Sequence, residues 1–418
     1  MIVREVLDGG LRLATESMPH VRSVSVGVWL TRGSRHEAAD HGGIAHFVEH
    51  MLFKGTTSRS AEAIAQTIDS IGGQMDAFTS KEYAGYYLKV LDEHLPLALD
   101  VLSDLILRPA LAADEIEREK RVVLEEIKMV EDTPDDLVHE LFTEHLWAGH
   151  PLGRPILGTP ATVGAFTRDM LREYFASTYT APNLIITAAG HLEHDGLRML
   201  VDESFSALTG DGTAVEDTRP DVVPQIVRRS KDLEQTHLCL GTSSYPQDHD
   251  DRYVSFVMNT ILGGSMSSRL FQNIREKRGL VYSVYSGISA YRDAGALSVY
   301  AGCANESVEE VVNLIVAELK GMKSFEPGDE LRRAKDHLKG SLMLSLESTS
   351  SRMSQLARQE IYFGTQHGLD EILAGFERVT ADDVRRVART LFVDGSLTAT
   401  VLGPGGGFDL QPGQLSLS

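Results

Sequence analysis

Two histidines four residues apart, with a glutamate directly before the second, stand at His46-Phe47-Val48-Glu49-His50. On a helix, positions i and i+4 lie one above the other on the same face. Both imidazoles could therefore hold one metal ion while Glu49 projects beside them. This order inverts the commoner arrangement, in which the glutamate follows the first histidine, and the inverted order is itself a zinc-hydrolase signature. Catalytic zinc takes three protein ligands and keeps one position open. The two imidazoles therefore need a third partner from elsewhere in the chain.

The elements that must present these groups can be read locally. Gly42-Gly43 precedes the motif, Ile44, Phe47, Val48, Met51 and Leu52 supply apolar residues at helical spacing, and Gly55 offers a stop. A second helix is expected over about 114–130, between Pro109 and Pro134, with Asp114 and Glu117 as a capping-box-like start. On it Glu119 and Glu126 lie seven apart and so on one face, with Val122 and Val123 between them favouring burial of that side. Glu115, Glu117 and Glu131 read as solvated charges.

Four segments carry a resemblance: GGIAHFVEHMLFKGT (42–56), DAFTSKEYAGYYL (76–88), EREKRVVLEEIKMVEDTPDD (117–136) and LGGSMSSRLFQNIREKRGLVYSVYS (262–286). Together they resemble the pitrilysin/insulysin family of zinc metallopeptidases, in particular the branch of the mitochondrial processing peptidase and its bacterial relatives. The likeness runs over nearly the whole chain. It implies one zinc ion per chain, held by His46, His50 and Glu126, with Glu49 as general base and Glu119 keeping a ligand or the water in place. A zinc ion brings the pKa of its water towards about 7, which leaves Glu49 a proton to take and later to hand to the leaving amine. The resemblance further implies that Arg275 and Tyr282, seven apart, bind the substrate carbonyl and its developing oxyanion. Asp76, Ala77 and Phe78 match the positions at which the family holds an extended substrate as an added strand. Many relatives have Asn where this chain has Asp76, and an ionised Asp accepts hydrogen bonds but cannot donate them. Main-chain pairing would be unaffected. The implied fold is a clamshell of two homologous α+β domains.

Internal repetition points the same way. FTRDMLREYF (166–175) matches VTADDVRRVA (379–388), with Thr167 against Thr380, and NLIITAAG (183–190) matches SLTATVLG (396–403) at the same offset of 213 residues. VRSVSVGVWLTRG (21–33) resembles LEQTHLCLGTSSY (233–245), and DEIEREKRVVLEE (114–126) resembles DELRRAKDHLKGS (329–341). At these offsets Glu119 and Glu126 meet Ala334 and Ser341, and the histidine motif meets NTILG (259–263), so the second half has lost the metal ligands. The expected organisation is a catalytic, zinc-binding domain at 1–209, a linker at 210–228, a homologous domain without ligands at 229–403, and a flexible tail at 404–418. Strand-like runs such as SVSVGVWL and YAGYYLKVL alternate with helices at about 44–54, 60–71, 93–106 and 114–130. That pattern gives an α+β class, each domain a mostly antiparallel sheet with helices packed on one side. The strand Gln74–Thr79 is expected at the sheet edge beside the metal.

Composition sets the outer limits. The 418 residues are 42% apolar and 24% charged, as in a soluble globular protein of two or more domains. A net charge of -20 argues against nucleic acid and anionic membranes as partners and is compatible with attracting basic peptides. No apolar run is long enough for a membrane span, and the first residues, with early acids and no long apolar core, do not read as a secretory signal or as an Arg- and Ser-rich transit peptide. Cys239 and Cys303 lie in apolar strand-like runs and are expected as buried free thiols, which fits a reducing cytoplasm. The expected function is a zinc endopeptidase acting on unfolded peptides or presequence-like segments. The alternative is a non-catalytic or processing-complex subunit of the same fold that works through protein–protein contacts. The intact metal motif speaks against that alternative. One chain bearing both the ligand set and the Arg275/Tyr282 pair favours a homodimer or a self-sufficient monomer.

Overall fold

A computed structural model of the protein describes residues 2–208, 210, 212, 217–405 and 409–418. Residues 209, 211 and 213–216, at the expected end of the first domain and in the expected linker, and residues 406–408 of the expected tail lie outside the described residues. Among the described residues there are two sheets, and no helix is long and apolar enough to cross a membrane.

The first sheet has the order β1-β2-β6-β3-β5-β4, formed by Ile2–Val6, Arg12–Ser17, Leu184–Gly190, Ser23–Leu30, Ala84–Leu91 and Gln74–Thr79 respectively. The second has the order β7-β11-β8-β10-β9, formed by Ile226–Ser230, Thr398–Gly403, Thr236–Ser244, Gly295–Cys303 and Val281–Ala290. Among the described residues only β2–β6 and β7–β11 pair in parallel, so both sheets are mostly antiparallel. Strand for strand, β7-β11-β8-β10-β9 repeats β2-β6-β3-β5-β4, which is the internal repeat seen in the sequence. Thr167 and Thr380 each cap the helix that precedes the equivalent strand, accepting from the N–H of Met170 and of Asp383. The edge position expected for Gln74–Thr79 is the observed one.

Alternation along β3 divides the first sheet's two faces. Val24, Val26, Val28 and Leu30 join the main core under the helices Ile44–Leu52 and Leu95–Leu107, whereas Trp29 faces the other way. That second face is covered by a helix from far along the chain, Thr349–Tyr362, which buries Met353, Ala357 and Ile361 against Trp29, Ile185 and Ala189. The second sheet shows the same device. Its main core holds Leu238, Leu240, Val299 and Val401, and its opposite face, with Cys239, Tyr300 and Leu402, is covered by the helix Pro134–Leu146 through Leu137, Val138, Phe142 and Leu146. Each sheet thus carries one helix beyond the expected one-sided layer, and that helix comes from the other half of the sequence.

The compact units are accordingly not contiguous in sequence. The first comprises Met1–Lys128, Arg154–Glu216 and Met343–Gln366, and the second Met129–Gly153, Asp217–Leu342 and His367–Ser418. These bounds differ from 1–209 and 229–403 because two amphipathic helices are exchanged. The expected linker also ends sooner, since β7 begins at Ile226. Nor is the end of the chain a free tail: Leu410, Leu415 and Leu417 are buried in the second unit's core, and Asp394 accepts the Leu417 N–H at 2.7 Å. Both cysteines are buried free thiols, as expected.

Candidate metal centre

The motif helix runs Ile44–Leu52 and ends before Gly55, with Phe53 at its C-cap. Ile44, Phe47, Val48, Met51 and Leu52 are fully buried in the first unit's core, which holds the opposite face, with His46 and His50, half-buried at its margin. The imidazole centroids are 4.5 Å apart. The acidic helix runs Ala113–Asp132, so Asp114 lies inside its first turn. Its buried positions are Ile116, Glu119 and Val123, while Val122 points outward. The i, i+3, i+7 stripe therefore places a carboxylate, Glu119, where an apolar side chain would be usual.

The two helices bring His46, His50 and Glu126 together. Glu126 Oε2 lies 3.8 Å from His46 Nε2 and 3.7 Å from His50 Nε2, and the three donor atoms all fall within 4.8 Å of one another. No other group of three or more such residues meets that condition among the described residues. Donors bound to one tetrahedral zinc would stand about 3.4 Å apart, so small side-chain adjustments would close the set around an ion. Two imidazoles and a carboxylate also make the donor chemistry of a catalytic zinc site.

Electrostatics support the fit. Burial, and next the neighbouring His50, push the His46 pKa down to about 4, so its ring is neutral at pH 7 with a lone pair to give. Burial works against charge on His50, but the hydrogen bond to Glu119 and the nearby carboxylates of Glu126, Glu119 and Glu49 outweigh it and raise its pKa. The acids around this imidazole thus favour positive charge there. Glu119 Oε1 sits 2.7 Å from His50 Nδ1. A proton on Nδ1 leaves the lone pair of Nε2 free on the side that faces Glu126. Lys54 Nζ lies 2.8 Å from Glu119 Oε2. Burial raises and these two partners lower the Glu119 pKa, and the partners win.

Glu49, on the same helix, is 9% exposed, and its Oε2 accepts from Thr79 Oγ1 at 2.5 Å. Burial raises its pKa, against the pull of Thr79 and His50. Thr79 ends β4, so the edge strand touches the glutamate directly. Along β4, Met75 and Ala77 pack on the main core and Phe78 on the opposite face, beside Trp29. Asp76 shares that opposite face, where Tyr87 donates to its Oδ2 at 2.9 Å.

The model of the Insulinase (Peptidase family M16) family matches residues 12–160, and that of the Peptidase M16 inactive domain matches residues 165–338. The uncharacterized zinc protease YmxG of Bacillus subtilis is 44% identical over 395 residues, covering 94% of this chain and 96% of that protein. The uncharacterized zinc protease Rv2782c of Mycobacterium tuberculosis is 42% identical over 418 residues, covering 99% and 95%. The chain belongs to peptidase family M16. Two solved structures share its fold: a protease from Helicobacter pylori (TM-score 0.90, 23% identity, 97% of this chain and 99% of that one) and a peptidase M16 inactive domain from Pseudomonas fluorescens (0.91, 21%, 98% and 99%).

In this M16 chain the degenerate second half is visible residue by residue. Ala334 is buried where the repeat has Glu119, and Ser341 is exposed where it has Glu126. Arg275 and Tyr282 belong to the second unit and meet there. Arg275 lies in a π-helical turn, Phe271–Glu276, and its guanidinium sits 4.7 Å from the Phe271 ring centroid and 5.4 Å from that of Tyr282. π-Turns are uncommon and concentrate at functional sites. Tyr282 is 79% exposed, so its hydroxyl is not spent on the protein's interior. Two supporting residues escaped the reading of the sequence although the signals were present. Lys54 is four positions beyond His50, in the turn that closes the motif helix, and Thr79 is two positions beyond Ala77 on the same face of the strand.

Proposed function

We propose that the chain is a zinc-dependent endopeptidase that cleaves peptides held in extended form along β4. The convergence of His46 Nε2, His50 Nε2 and Glu126 Oε2 beside a buried glutamate on the same helix carries this reading. Family membership and the relatives named zinc proteases support it. His46, His50 and Glu126 would hold one zinc ion, which when bound would acidify a water and polarise the scissile carbonyl. Glu49 is the base that removes a proton and returns it to the leaving amine. Glu119, held by Lys54, fixes the tautomer and orientation of His50. The outer edge of β4 offers unpaired backbone groups to an added strand. The Ala77 N–H donates to Asp76 Oδ1 at 2.8 Å, a bond that an added strand would replace. Because Asp76 is engaged by Tyr87 and Phe78 by Trp29, the main chain rather than these side chains does the holding. Arg275 and Tyr282 stabilise the carbonyl oxygen as charge develops on it. The charge of -20 favours basic peptides.

The test is a mixed library of short peptides incubated with purified protein, with products mapped by mass spectrometry, in chelator and after zinc is restored. Cleavage that stops in chelator and returns with zinc is the expected result; full activity in chelator would remove the reading.

The supporting residues should separate by readout. Glu119→Gln is expected to weaken zinc binding about 10–100-fold. Arg275→Ala and Tyr282→Phe should keep the metal content and lower turnover. Wild-type kcat in the latter two would leave Arg275 and Tyr282 with a structural part only.

A further inference from the structure

The residue that fixes the start of the motif helix lies outside it. Gly43 holds the N-cap position with φ 93° and ψ -1° and has no side chain with which to cap. A helix start leaves its first N–H groups without intrahelical partners. Glu37 takes two of these neighbouring groups: Oε2 accepts from Gly43 N at 2.8 Å and Oε1 from Ala45 N at 2.8 Å. Its carboxyl is buried, 6% exposed, which pushes its pKa up to about 7 against the pull of those two bonds.

The segment bearing Glu37 is itself fastened to the end of the edge strand. Ser34 N donates to Ser80 O at 3.0 Å and Arg35 N to Lys81 O at 2.8 Å, and the Arg35 guanidinium pairs with Glu82 in the interior. Residues 80–82 follow directly on β4, whose Thr79 holds Glu49. On the other side Arg154 Nη1 donates to Glu37 O at 2.9 Å, and a Cβ on Gly43 would stand 2.6 Å from Leu157 O. Glu37 thus forms a strut from the turn after β4 to the first turn of the motif helix.

We propose that Glu37 is a positioning residue whose carboxylate, by bridging the N–H groups of Gly43 and Ala45, sets where His46 and Glu49 stand relative to the edge strand. The kinetic consequence rests on the zinc-peptidase reading; the tether itself does not. Glu37→Gln keeps the size and one acceptor oxygen but turns an amide towards one of the two N–H groups.

The experiment uses the full chain. Without added metal, backbone amide exchange over 43–47, followed by mass spectrometry, should rise about tenfold or more in Glu37→Gln, with β3 exchanging as in wild type. With zinc bound, kcat on a cleaved peptide should fall about 10–100-fold while KM stays within about twofold and zinc content is unchanged. Glu37→Asp, which keeps the charge but is one methylene short of bridging both groups, should move both readouts the same way by less. It takes the place of Glu37→Gln if that variant does not fold. Wild-type exchange over 43–47 overturns the proposal, as does a loss of activity matched by loss of zinc or by raised exchange throughout the first unit. If the wild type shows no zinc-dependent cleavage, the peptidase reading fails and the exchange measurement still decides the tether.

Discussion

Glu49→Gln is expected to bind zinc as wild type does and to cleave peptides about 10²–10⁴-fold more slowly in kcat. The substitution preserves shape and the acceptor that Thr79 Oγ1 uses at 2.5 Å, so the helix and the end of β4 keep their contact. What it removes is a basic oxygen in a desolvated setting. Burial raises the Glu49 pKa, making the carboxylate a stronger base than one in water, while the Thr79 hydrogen bond limits that rise. Glu49 is outside the donor trio, so metal content is the internal control. Metal analysis and steady-state kinetics on the same preparation check both halves of the expectation. Wild-type turnover would show that another group takes the proton, and loss of zinc would make Glu49 part of the binding set instead.

How much of this could be read before the structure depends on how local each signal is. The His46–Glu49–His50 arrangement needs only the i, i+4 geometry of one helix, and the alternation SVSVGVWL matches β3 residue for residue. The 213-residue repeat correctly aligned β6 with β11 and the capping Thr167 with Thr380, because repeats preserve local chemistry. The acidic helix is legible, but the outward turn of Val122 is not: the buried stripe runs through Ile116, Glu119 and Val123, and Val122, about 100° around the helix from Val123, falls on its exposed side. Glu37 was invisible for a different reason. Capping rules look for a polar residue at the N-cap itself, and the chain has Gly43 there with its carboxylate six residues upstream. The last residues mislead through composition: Gly and Pro suggest a loose end, yet three leucines spaced through 410–417 pack into the second core.

The exchanged helices mark the deepest limit of local reading, and they lead to the second large effect. Thr349–Tyr362 has apolar residues at Met353, Leu356, Ala357 and Ile361, a clean helical stripe, but periodicity announces only that a face will be buried and never which sheet receives it. A fragment of residues 1–209, the expected first domain, is therefore predicted not to fold. It would leave Trp29, Ile185 and Ala189 facing water and strand Leu137, Val138, Phe142 and Leu146 without the second sheet. It would also lose polar joints made across the exchange: Thr187 Oγ1 to Met353 O at 3.0 Å, Ser25 Oγ with Thr349 Oγ1 at 2.9 Å, and Arg352 Nη1 to Glu16 at 2.7 Å. Fully burying one large apolar side chain is worth about 1.5–3 kcal/mol, so losing several approaches the roughly 5–15 kcal/mol that holds a whole domain together. The fragment should bind a hydrophobic dye, lack near-ultraviolet circular dichroism and show no cooperative melt. Co-expression with residues 210–418 should restore a soluble complex, because that piece returns the 349–362 helix and receives the 134–146 helix. A fragment that melts cooperatively near the full chain's Tm would mean that the sheet's second face does not need its distant helix. In that case the histidine pair could be studied on a domain half the chain's length.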